Sequence, residues 1–126
     1  MLGECEVIAF TQTTVPERAK VFYRDVLGLK LEEENPFALV FAAGGTMVRV
    51  QKVRAFSPLP CTALGWRVGD IVSLVRELST RGVVFERFAG MPQDEAGVWT
   101  SPDGARIAWF KDPDGNVLSL TQWVDG

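Results

Sequence analysis

The chain contains no histidine. That absence removes the side chain most often used as a general base and as a transition-metal ligand. It also excludes Ser-His-Asp and Cys-His nucleophilic sets. Cysteine is scarce. Cys5 and Cys61 lie far apart with no CxxC, too few for a structural zinc site, and are expected to be reduced, buried thiols. No apolar run approaches the ~18 residues of a membrane span, so no membrane partner is expected. The opening MLGECEVIAF has neither the basic segment nor the long apolar stretch of a secretion signal, which points to a cytoplasmic protein. No strong charge bias exists: thirteen basic against sixteen acidic side chains give a net charge of −3, which argues against a nucleic-acid partner. AAGGT is no phosphate loop, because that motif needs GxxxxGK[ST] between a strand and a helix.

What remains is an ordinary folding composition. Of 126 residues, 47% are hydrophobic and 23% charged, enough for one domain that buries roughly two-thirds of its unfolded surface. EVIAFTQT reads as a strand and VPERAKVFYRDVLG as a helix, with Pro16 in the first turn, Ala19, Phe22 and Val26 at helical spacing, and Gly28 just past the end. LKLEEE, FALVFAA and TMVRVQKV follow as strands, the last two joined by a Gly44-Gly45 hairpin turn. The order then recurs. TALGWRV is a strand, and DIVSLVRELSTRG a helix capped by Asp70, with Ile71, Leu74, Val75 and Leu78 as its apolar stripe and Gly82 closing it. VVFERF, ARIAWFK and NVLSLTQ read as strands, the last two joined by DPDG, where Pro113 presets φ and Gly115 accepts a positive one. AGMPQDEAGVWTSPDG reads mostly as loop, with VWT extended in part.

The order βαβββ thus occurs twice, and GGTMVRVQ aligns with DGNVLSLT. The expected architecture is α+β: a single domain of two βαβββ modules, residues 1–53 and 62–126, with a linker at 54–61, forming curved mixed sheets. Each helix would cover one sheet face and leave the other to line a cavity.

On the repeated order, ERAKVFYRDVLGLKL and GARIAWFKDPDGNVLSL, the chain resembles the vicinal oxygen chelate superfamily, the group of glyoxalase I, bleomycin-resistance proteins and extradiol dioxygenases. The resemblance covers nearly the whole chain and is more specific for fold than for activity. In that family's metal enzymes, His, Glu or Gln ligands sit on the first and last strands of each module. The resemblance places those positions near Ile8, at Arg49 or the neighbouring Gln51, near Ala63, and at Ser119, where the family usually has the glutamate of DPDGNxxE. Ile8 and Ala63 offer no donor, Arg49 repels a cation, and a lone serine is a poor ligand. The resemblance therefore implies a member with no metal and no cofactor. A relocated site on Glu6, Glu32, Glu34, Asp94 or Glu95 has no support, and these acids read as solvated surface.

Without metal, the chain is similar to the antibiotic-sequestering members, which implies a homodimer holding a flat small-molecule ligand by aromatic stacking. By strand parity, Phe10 and Gln12 share a face with Ile8, Met47 and Gln51 with Arg49, and Arg67 with Ala63. The candidate ligand contacts are Phe10, Met47, Arg49, Gln51, Arg67 and Ser119, with Trp99 and Trp109 near the groove edge. Arg49 and Arg67 suit an anionic or carbonyl-bearing ligand, or pair with a local acid or with water. Trp66, in phase with Leu64 and Val68, belongs to the helix-covered core. Trp109 fits core, dimer interface or ligand platform. Trp123 ties down the C-terminus, and Tyr23 is structural. Three classes stay open: a metal-free binder, a lyase, isomerase or dioxygenase with an atypical site, and a scaffold with a vestigial cavity.

Overall fold

In the computed structural model, which describes residues 1–124, the chain divides into two compact units, Met1–Pro58 and Leu59–Gly126. The last two residues of the expected module 62–126 lie outside the described residues. Unit 1 opens with a single 3-10 turn, Leu2–Glu4, and runs β1 (Ile8–Thr13), α1 (Pro16–Val21), β2 (Lys30–Glu34), β3 (Ala38–Ala43), β4 (Thr46–Lys52). Unit 2 runs β5 (Thr62–Arg67), α2 (Ile71–Thr80), β6 (Trp99–Thr100), β7 (Arg106–Lys111), β8 (Val117–Gln122). The sheets have the same topology, β1-β4-β3-β2 and β5-β8-β7-β6. In each, the first and last strands pair in parallel and the rest antiparallel. The fold is α+β, two four-stranded mixed sheets with one helix each.

Alternation explains how each sheet sorts its side chains. In unit 1, Thr11 and Thr13 of β1, Leu39 and Phe41 of β3, and Val48 and Val50 of β4 share one parity and are all buried. Ala19 and Tyr23 close over that face, the Tyr23 ring 5.7 Å from Phe41. Tyr23 is completely buried, as a structural residue should be. The helix starts as expected, with Pro16 in its first turn and the Thr13 hydroxyl accepting from Val15 N at 3.0 Å. It does not continue as α-helix to Gly28. Phe22–Val26 widens into a π-helical turn, and Gly28 then reverses the chain at φ +80°.

In unit 2, Ile71, Val75 and Leu78 bury the stripe of α2 beside Ala108, Phe110, Leu118 and Leu120. The Asp70 carboxylate caps the helix by accepting from Ser73 N at 3.1 Å. Ile71 N donates to Gln122 Oε1 at 2.8 Å, tying the helix start to β8. Trp66 stacks on buried Phe110 at 6.5 Å, on the helix-covered side as its phase implied. The turn before β8 is organised by Asp112, itself buried. Its Oδ1 accepts from Asp114 N and Asn116 N, both at 2.9 Å, and its Oδ2 from the Asn116 amide at 2.8 Å.

Two expectations are corrected. VVFERF is not a strand. It makes one antiparallel bridge, Phe85 to Phe110, plus the bond from Glu86 N to Trp109 O at 2.7 Å. The outer slot beside β7 is shared: Phe85 and Glu86 take one end and β6 takes the other. Neither cysteine is buried. Cys5 and Cys61 are exposed, free thiols. Each lies in a segment leading into a first strand, outside the packed layers, so position outweighs the usual burial of the residue type.

Candidate functional site

The faces away from the helices carry all eight sequence-predicted ligand contacts, four in each unit. In unit 1, register places Ile8 opposite Met47, Phe10 opposite Arg49 and Gln12 opposite Gln51 on the parallel β1–β4 pair. Arg49 also faces Val40 of β3. Phe10 and Met47 are 47% and 42% exposed, large apolar groups that the unit leaves partly in water. Arg49 is half-buried and Gln51 exposed.

In unit 2, two rows cross the corresponding face. Gly65, Ser119 and Trp109 form one, and Arg67, Thr121, Ile107 and Trp99 the next. The Trp99 and Trp109 rings lie 6.3 Å apart, and Phe88 stands edge-on to Trp109 at 5.4 Å and 89°. The loop carrying Phe88 is well tied. Gln93 accepts from Phe88 N at 2.8 Å and donates to the carbonyls of Glu86 and Gly97 at 2.9 and 2.8 Å, while the Arg87 guanidinium donates to the Asp94 and Glu95 carbonyls. Arg67 and Trp123 are exposed and border a shallow groove with Gln122.

Ser119 is buried and leans over Gly65. A β-carbon built at Gly65 would lie 2.7 Å from Ser119 Oγ. An isolated glycine inside a strand pattern signals such a close approach, so TALGWRV itself carries the signal for this contact. Phe88 has no such signal, because VVFERF has the composition of a strand.

The superfamily resemblance raises a divalent metal, and the residues do not fit one. At the four positions stand Ile8 (45% exposed), Arg49 or its neighbour Gln51, Ala63 and Ser119, which together offer at most one amide oxygen and one hydroxyl. Ala63 falls in the register shift between Thr62 and Leu64. Among the described residues no group of three or more His, Cys, Asp or Glu is placed to hold an ion. The alternative acids are engaged elsewhere or solvated. Glu34 sits between Lys20 and Lys52 at 2.6 and 3.1 Å, and those ammonium groups, Lys20 foremost, hold its carboxyl below the usual glutamate range. The Asp94 carboxylate accepts from Ala96 N and Val98 N, both at 2.9 Å, and shapes its own loop. Glu6, Glu32 and Glu95 are exposed. What the two faces do offer is aromatic surface and, among the described residues, the unpaired guanidinium groups of Arg49 and Arg67 and the unpaired amide of Gln51.

A model of the Glyoxalase/Bleomycin resistance protein/Dioxygenase superfamily matches residues 9–120. No curated protein matches the chain. Among solved structures, a glyoxalase/bleomycin resistance protein/dioxygenase from Alicyclobacillus acidocaldarius is 19% identical, with a TM-score of 0.72 over 97% of this chain and 93% of that one. A lactoylglutathione lyase from Agrobacterium tumefaciens is 18% identical, TM-score 0.70, over 94% and 95%. TnmS3, an antibiotic binding protein from Streptomyces sp. CB03234, is 25% identical, TM-score 0.68, over 96% and 98%. The first two likenesses are of fold alone.

Proposed function

The chain belongs to the glyoxalase/bleomycin resistance protein/dioxygenase superfamily, and from that premise we propose that it is a cytoplasmic small-molecule-binding protein that works without a metal. Its two modules act as one domain and pair in a homodimer. It holds a planar or amphipathic ligand and removes it from solution. The observation carrying this reading is the donor set: at the positions that the resemblance aligns with the convergent oxygen and nitrogen ligands of metal enzymes, this chain has alkyl groups, a guanidinium or the neighbouring Gln51 amide, and one buried hydroxyl. The aromatic group of Trp99, Trp109 and Phe88 supports it, since each ring stacked on a flat ligand contributes about 1 kcal/mol beyond area burial. The likeness to TnmS3, described as binding an antibiotic, supports it too. The competing reading is a lyase or dioxygenase with an atypical metal site, which the fold likeness to lactoylglutathione lyase favours.

All four tryptophans lie in unit 2, so their emission reports directly on the Trp99–Trp109 platform. Titration with a panel of planar aromatic compounds should give saturable quenching that Trp99→Ala abolishes and Trp123→Ala preserves. A panel that neither quenches nor shifts the melting temperature supports the vestigial scaffold. Conversion of a compound to product supports the enzyme.

A further inference from the structure

Among the described residues four cationic side chains are half-buried: Lys20, Lys52, Arg49 and Arg106. Lys20 and Lys52 share Glu34. The guanidinium groups of Arg49 and Arg106 have no ion pair or hydrogen bond among the described residues. Arg106 has the helix-side parity of Ala108 and Phe110 and sits at the end of its strand. Arg49 is different. It stands mid-strand on the open face of unit 1, with Phe10 on one side and Val40 on the other.

The nearest acid in its row is Glu33, which pairs with Val40 one strand further out, about 10 Å away across two strand spacings. Glu33 already accepts from the Asn35 amide at 2.7 Å. A guanidinium partly withdrawn from water with none of its five donors used is costly unless something completes it. Its planar fork matches a carboxylate in two parallel bonds, a fit that a neutral carbonyl does not reproduce. The surrounding groups narrow the ligand further. Phe10 and Met47 give flat and adaptable apolar surface. Glu6, Glu32 and Glu33 rim a depression with Met47 at the other side of this face, so a second negative group on the ligand meets repulsion.

We propose that the open face of unit 1 selects planar aromatic monoanions: a ligand carboxylate pairs with the Arg49 guanidinium while its ring lies on Phe10 and Met47. This rests on the small-molecule-binding reading and names the ligand class of the unit 1 face.

The test compares naphthalene-2-carboxylate with naphthalene-2-carboxamide, nearly identical in shape and different in charge, by calorimetric titration of the unmodified protein. The carboxylate should bind about tenfold to a hundredfold more tightly, the range of a charge-assisted pair over a neutral contact. Its advantage should shrink as salt rises. Arg49→Gln should abolish the preference and leave amide binding in place, while Arg49→Lys should keep part of it. Equal affinity for the two probes, or a preference that survives Arg49→Gln, overturns the inference and leaves the binding reading standing. Failure of both probes to bind also overturns it. The tryptophan titration, which reads unit 2, then shows separately whether the broader reading fails as well.

Discussion

Replacing Gly65 by alanine tests the packing on which the site in unit 2 is built. Gly65 has no positive φ, so an L residue is compatible with its backbone, and the cost is one of space alone. The new β-carbon would meet Ser119 Oγ at 2.7 Å, which is 0.7 Å short of the 3.4 Å at which ordinary contact begins. The next atoms, Ser119 O at 3.5 Å and Ser119 Cβ at 4.0 Å, are not in conflict. One terminal oxygen must therefore move, in a buried residue with little room. Overpacking of this kind costs about 1–3 kcal/mol. A single displaced hydroxyl belongs in the lower half, so Gly65→Ala should destabilise by about 1–2 kcal/mol, before a gain of about 0.5–1 kcal/mol from the reduced freedom of the unfolded chain. Ser119→Ala removes the obstructing oxygen. In that background Gly65→Ala should be neutral or stabilising, giving a coupling of about 1–2 kcal/mol. Denaturant unfolding followed by tryptophan emission reads unit 2, where all four tryptophans lie. If the two changes add to within about 0.5 kcal/mol, the residues do not touch as described and the reasoning fails.

Two further predictions concern unit 1. Thr11 is 1% exposed, and its hydroxyl has no partner among the described residues. Thr11→Val keeps the shape and removes the buried polar atom, so it should raise stability by about 1 kcal/mol in far-UV circular dichroism melts, and a loss of stability would show that the hydroxyl is satisfied. Glu34 is held below its ordinary value of 4.5 by hydrogen bonds from Lys20 and then Lys52. The sign follows from linkage: a lowered carboxyl value adds stability that is present above the unfolded value and is lost as pH falls through the folded one. Glu34→Gln should therefore flatten part of the acid-side loss of stability and leave a lesser effect at high salt, because the carboxylate is partly exposed. An unchanged acid limb would count against the Lys20–Glu34–Lys52 link.

The parts of the fold legible in the chain were those where local chemistry and tertiary packing agree. Ile71, Val75 and Leu78 form a stripe that only a helix can bury together, and Asp70 caps it as its residue type suggests. Gly44 and Gly45 take positive φ in the hairpin before β4, and Gly115 does so in the turn organised by Asp112. VVFERF misled because β-favouring residues are necessary for a strand but do not supply a partner. β7 has one free edge, and β6 occupies part of it, leaving Phe85 a single bridge and Val84 75% exposed. The widening of the first helix at Phe22 is carried by no residue that breaks an α-helix, so periodicity continued through it. Strand parity placed Phe10, Met47, Arg49 and Gln51 on one face and Arg67 and Ser119 on another, because alternation is local. Which of those groups lack an internal partner is a property of distant residues, and Arg49 is one of them among the described residues.

The account turns most directly on what the purified protein holds in place of a bound cation. Elemental analysis by mass spectrometry, with melting curves before and after chelation and with added zinc, nickel, manganese or iron, measures this. The account predicts far less than one metal per chain and a melting temperature that neither chelator nor metal moves. One equivalent of a divalent ion, whose removal lowers the melting temperature, would contradict it.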